Sequence, residues 1–95
     1  MRVRYTPRAR QDLSEIAGYL RPRSPAGARR VGAAFEAFFK TLSAYPFSGR
    51  PQDVPRVRKG VVLPWGYLVY YRVDRDALVV LTVRHPARAR PFADD

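Results

Sequence analysis

Tyr67-Leu68-Val69-Tyr70-Tyr71-Arg72-Val73, then Asp74-Arg75-Asp76, then, past Ala77, Leu78-Val79-Val80-Leu81-Thr82-Val83-Arg84-His85: this stretch reads as two strands and a tight turn. β-Branched and aromatic residues dominate both arms, and the charged triplet between them is turn chemistry. Strands joined so closely must pair antiparallel. The hairpin therefore sets a sheet, and its far end runs into the only histidine of the chain.

Working upstream, residues 57–63 form a further strand, closed by Pro64-Trp65-Gly66 as a turn. Tyr45-Pro46-Phe47-Ser48-Gly49-Arg50-Pro51 is turn chemistry that Pro55 continues. Before it lie two helices. Thr6-Pro7 starts the first, since Thr6 can cap and proline fits the first helical position. Ala9, Leu13, Ile16, Ala17 and Leu20 follow at helical spacing, and Pro22 is expected to end it. Ser24-Pro25 repeats the signal, and Ala28, Val31, Phe35, Phe38, Phe39 and Leu42 form one stripe. At that spacing the three phenylalanines read as core rather than as a binding face. Only Arg21-Pro22-Arg23 separates the helices, so they form an antiparallel hairpin. Residues 2–5 alternate and make a first strand. The order is β-α-α-β-β-β: an α+β fold, with a helical hairpin packed on a mainly antiparallel four-stranded sheet.

Ninety-five residues suffice for one domain, 1–95, with a modest core. The absence of cysteine excludes disulfides and thiolate chemistry and suits a reducing cytoplasm. No apolar run approaches the roughly 20 residues of a membrane span, and the N-terminus lacks a signal-peptide core. The chain is expected to be soluble and cytoplasmic, with no membrane partner. Its net charge is +10. Of 18 basic residues only Lys40 and Lys59 are lysine, leaving 16 arginines. Such charge selects a polyanion or an acidic protein as partner. It is spread over the chain, so an acidic protein is favoured over direct nucleic-acid binding.

If residues 74–76 are the turn, residue 73 faces residue 77. Counting back puts Leu68, Tyr70, Arg72, Leu78, Val80, Thr82 and Arg84 on one face. Val69, Tyr71, Val73, Val79, Leu81 and Val83 take the other, and the helices should cover that second face. A slip of one residue reverses the assignment. Arg72 and Arg84 then stand about 20 Å apart, at opposite ends of the hairpin. Arg72 is expected beside Arg56 and Arg58; Arg84, His85 and Arg88 form a second cluster. Guanidinium forks in either place match phosphates or carboxylates. The competing reading is solvated strand ends, with arginines paired to Asp53, Asp74 or Asp76.

His85 is the general acid–base candidate. A lone histidine before proline more often bonds locally, and without a second one a histidine-pair ribonuclease is excluded. No carboxylate or histidine spacing fits a metal, and no Gly-rich phosphate loop or serine elbow occurs, so no cofactor is expected. Asp94-Asp95 reads as a terminus rather than a metal site.

Taken together these segments resemble the ParE/RelE superfamily of toxins from type II toxin–antitoxin systems, in its ParE-like branch. The matching residues are Tyr5-Thr6-Pro7 with Ala9, Asp12-Leu13 and Ile16, then Ser24-Pro25 with Ala28, Leu42, Pro46 and Gly49-Arg50. Tyr67 to Val73, Val83-Arg84-His85 and Ala87-Arg88 complete them. The family fold has the element order derived above. RelE-like members cut mRNA in the ribosome with cations on the sheet and a late tyrosine or histidine; ParE-like members act on DNA gyrase. RelE-like nucleases carry arginine after the Gly-Tyr that opens the third strand, whereas Gly66-Tyr67 here precedes Leu68. Arg88 matches their late arginine, but the tyrosine beyond it is missing. A guanidinium stays protonated and is a poor base.

The resemblance therefore implies a gyrase-directed toxin with no hydrolysis of its own, neutralised by an acidic antitoxin. Leu68, Tyr70, Leu78 and Val80, expected on the open sheet face, suit an antitoxin segment. Arg56, Arg58, Arg72, Arg84, His85 and Arg88 are the expected target- or anion-binding residues. Were the chain instead an mRNA endonuclease, Arg72, His85 and Arg88 would be its catalytic set. A third possibility is an inactive member that only binds its antitoxin.

Overall fold

The computed structural model describes residues 1–88, with Arg88 described by its backbone alone. Five strands and two helices run in the order β1 (Arg2–Tyr5), α1 (Pro7–Arg23), α2 (Pro25–Ala44), β2 (Arg50–Pro51), β3 (Val57–Val62), β4 (Tyr67–Val73) and β5 (Ala77–Arg84). A 3₁₀ turn, Pro86–Arg88, follows. The α+β class and the helical hairpin are as expected. The sheet has five strands rather than four, because two residues of the turn segment, Arg50 and Pro51, pair with Lys59 and Arg58. The spatial order is β1-β5-β4-β3-β2. β1 lies parallel to β5 and every other pairing is antiparallel.

Capping fixes the helices. The Thr6 hydroxyl accepts from the Ala9 N–H at 3.0 Å and donates to the Leu81 carbonyl at 2.7 Å, so one side chain starts α1 and ties it to β5. Pro22 does not end α1, which continues to Arg23. So close to the exit, proline removes one intrahelical bond without breaking the last turn. Ser24 then does two jobs. Its N–H donates to the Leu20 carbonyl at 2.7 Å, closing α1, and its Oγ accepts from Gly27 N–H at 3.0 Å, opening α2.

The helices lie on one face of the sheet. Val31, Phe35, Phe39 and Leu42 of α2 and Ala9 of α1 meet Val62, Tyr67, Val69, Tyr71, Leu78, Val80 and Val83. Aromatic edges and faces fill the layer: Phe35 sits 5.3 Å from Tyr67, and Tyr5 stands edge-on to Phe39 at 5.3 Å. Gly60 has no side chain because the Phe38 ring occupies that space.

The hairpin register differs from the expected one. Asp74 N–H donates to the Ala77 carbonyl, so the loop is Arg75-Asp76 and Val73 faces Leu78. A bulge then leaves Leu81 without an opposite residue, since Tyr71 pairs with Val80 and Tyr70 with Thr82. The β4 assignment holds, with Val69, Tyr71 and Val73 toward the helices. On β5 the one-residue shift turns Leu78 and Val80 inward, both 0% exposed, and the bulge restores Val83 to the core side. Leu78 and Val80 are therefore core residues and are not on the open face. No helix among the described residues is long and apolar enough to cross a membrane.

Candidate functional site

The register distributes the arginines over two faces and one loop. Arg72 lies on the open face, opposite Val57 and Val79. Its guanidinium bonds Asp74 through Nε at 2.9 Å and a second nitrogen at 3.2 Å. This pair holds the Asp74 carboxyl below the usual carboxylate range and raises Arg72. Arg58 is not beside Arg72. It faces the helix side with Tyr71 and donates to the Phe47 and Gly49 carbonyls at 2.9 and 2.8 Å. The same loop is held by Tyr71, whose hydroxyl accepts from Gly49 N–H at 2.8 Å and whose burial pushes its pKa up. Arg58 is thus a brace for the loop after α2. Arg56 lies in the connection before β3, exposed, with positive φ, near Asp74.

The second cluster also divides. Arg84 faces Leu68 across the hairpin, with its guanidinium 5.2 Å from the Tyr70 ring centre. The His85 ring stands edge-on to Tyr67 at 5.7 Å, and its Nδ1 accepts the Ala87 N–H at 3.1 Å. In this arrangement Nδ1 is the acceptor of a local backbone bond and Nε2 is the ring atom left facing outward from it. His85 and Arg84 border a groove of about 850 Å³, whose other wall is Arg8, Asp12, Ile16 and Tyr19 of α1. The Arg88 side chain and the expected terminal Asp94-Asp95 lie outside the described residues.

Asp12 was not singled out for chemistry by the sequence, yet it organises this groove. Its Oδ2 accepts from Thr82 Oγ1 at 2.6 Å and from Val83 N–H at 3.0 Å, and Arg8 pairs with Oδ1 at 3.3 Å. It closes the edge of β5 where β1 has ended. Its placement one helical turn before Ile16, on the apolar side of α1, is the sequence signal for an acid with an inward partner. Of the residues expected on the open face, Leu68 and Tyr70 are there. Tyr70 is only 3% exposed, between Lys59 and Thr82. Among the described residues no three His, Asp or Glu side chains gather as a metal site.

A sequence model described as the ParE toxin of the type II toxin–antitoxin system parDE matches residues 3–90. The chain belongs to the ParE toxin family. Two relatives agree. The proposed toxin Y4kP of Sinorhizobium fredii is 37% identical over 90 residues, 95% of this chain and 93% of that one. Toxin RelE2 of Caulobacter vibrioides is 33% identical over 86 residues, 90% and 96% of the two chains. A solved chain from the chromosomal ParDE toxin–antitoxin system of P. aeruginosa superposes with a TM-score of 0.77 at 25% identity, covering 90% of this chain and 95% of that one. This ParE-family chain is thus a type II toxin with an antitoxin as partner.

Proposed function

We propose that this ParE-family toxin arrests DNA replication by acting on DNA gyrase, and that an acidic antitoxin holds it inactive. The observation that carries the reading is the state of the nuclease candidates. His85 has its Nδ1 engaged by Ala87 N–H, and Arg72 is tied to Asp74 by two bonds. Cutting RNA at its 2′-OH needs a base, an acid and charge stabilisation held together. Here the histidine lies toward the α1 groove and the tied arginine on the open sheet face, at the other end of the hairpin. The choice of gyrase as target is supported by the resemblance to ParE-like members. The +10 charge fits fast, salt-sensitive capture by an acidic antitoxin.

A ribosome-dependent mRNA endonuclease is the competing reading, favoured by the cations of the open face. Pulse-labelling of DNA and protein synthesis just after induction without antitoxin separates the two. Early arrest of DNA synthesis with translation continuing is the expected result. Early arrest of translation would overturn the gyrase reading. His85→Ala should leave toxicity and antitoxin binding unchanged; loss of toxicity alone would restore a catalytic role.

A further inference from the structure

The loop between α2 and β2 is fixed from several sides. Ser48 N–H donates to the Tyr45 carbonyl at 3.1 Å. Gly49 N–H donates to the Tyr71 hydroxyl, and a side chain at Gly49 would collide with that ring. Arg58 reaches over from β3 to the Phe47 and Gly49 carbonyls, and its guanidinium carbon lies 5.3 Å from the Phe47 ring centre. Yet this braced loop holds two rings in water. Tyr45 is 67% exposed and Phe47 63%. Neither belongs to the core cluster, so the bracing does not serve to bury them. Arg50 and Pro51 follow, both exposed. Residues 45–59 carry Arg50, Arg56, Arg58 and Lys59 against Asp53, four positive charges to one negative and a local balance of +3.

We propose that Tyr45 and Phe47 are the anchors by which this toxin seats in an apolar, carboxylate-rimmed pocket on a folded target protein. Aromatic side chains with a nearby arginine are the residues that dominate binding energy at protein interfaces. A loop already fixed in shape gives up little further freedom on docking. Two well-exposed rings side by side in the chain need a concave receiver formed in advance, which a folded protein offers. An antitoxin segment of the extended or helical kind folds onto its partner and follows grooves or strand edges instead. A second copy of this chain would set the same rings against each other and bring +3 against +3. The carboxylate rim follows from the local charge. The identity of the target rests on the gyrase reading; the anchoring loop does not.

The test is binding of the full-length toxin to purified gyrase holoenzyme by biolayer interferometry, with growth arrest and co-purification of the cognate antitoxin scored in parallel. Tyr45→Ser with Phe47→Ser should weaken gyrase binding about 30-fold and abolish growth arrest, with antitoxin co-purification and the urea midpoint unchanged. Tyr45→Ser alone leaves the Arg58 contact intact and should still weaken binding, which guards against a loosened loop. Tyr45→Trp with Phe47→Tyr keeps both rings and should retain it. Leu63→Ser, 73% exposed at the other end of β3, should change nothing. Gyrase binding that survives the double substitution overturns the anchor and leaves the gyrase reading standing. A wild type that arrests translation without binding gyrase overturns that reading; the anchor then holds if the double variant stops the arrest and fails if it does not. Loss of antitoxin co-purification would assign the loop to the antitoxin and refute the proposal. Equal loss with Leu63→Ser, or a wild type that neither binds gyrase nor arrests growth, would refute it too.

Discussion

Tyr70 and Tyr71 are neighbours in the chain, both nearly inaccessible, and they point to opposite sides of the sheet. Tyr71 is 0% exposed beneath the helices, among Phe35, Leu78 and Val80, with its hydroxyl bound by Gly49 N–H. Tyr70 is 3% exposed on the face that no helix covers, flanked by Lys59 and Thr82 and approached by Arg84. The first is buried by apolar packing and the second among polar and cationic neighbours whose long stems cover hydrocarbon. Burial alone therefore does not identify the core in this protein; the register does.

The comparison can be broken most directly at Tyr71. Tyr71→Ala should destabilise by about 4 kcal/mol in chemical denaturation, since it empties the core and releases the Gly49 loop. Tyr70→Ala should cost clearly less, because mobile side chains can fill the gap; equal costs would mean that both faces are packed alike. Next comes the pair that reports register. Leu78→Ala is expected to cost about 3 kcal/mol and Leu68→Ala less than about 1 kcal/mol. A reversed ranking in urea midpoints would reinstate the slipped hairpin. Asp12→Ala should cost about 2 kcal/mol, through an unpaired Thr82 hydroxyl and Val83 N–H. Its hydrogen-exchange signature should be faster exchange at Val83, with Val69 unchanged.

The smallest effect belongs to the open face. Asp74 has a lowered folded pKa, so its contribution is present above the ordinary value of about 4 and is lost as pH falls through the folded value. Wild type should exceed Asp74→Asn slightly at neutral pH, and the gap should close as pH falls below the lowered folded value. A gap that stays constant with pH would show that the Arg72–Asp74 pair contributes nothing through charge.

The helices were legible because their signals are local. Thr6-Pro7 and Ser24-Pro25 are caps with a mechanism, and the stripe from Val31 to Leu42 has one period. The strand alternation in 67–73 was equally plain, and its inner residues were placed correctly. Residues 78–80 were misplaced because their side cannot be read from their own composition: Leu78, Val79 and Val80 are all apolar. Their side depends on where the turn closes and on a bulge at Leu81, and both are set by backbone bonding between strands. Arg58 looked like a surface cation and is a brace, because the carbonyls it bonds lie in a loop whose path the sequence does not state. Asp12 failed for a related reason: its partners are about 70 residues away.

Ser24 has a consequence for how this fold can be altered. One residue closes α1 and opens α2, so the helical hairpin has no slack. A single inserted residue there must either be expelled as a loop or rotate α2 by about 100°. Rotation would swing Phe35 and Phe39 off the sheet. Tags, fusions and inserted sensors belong elsewhere, for instance in the exposed Arg75-Asp76 loop, and natural length variation at the helical junction should be rarer than in that loop.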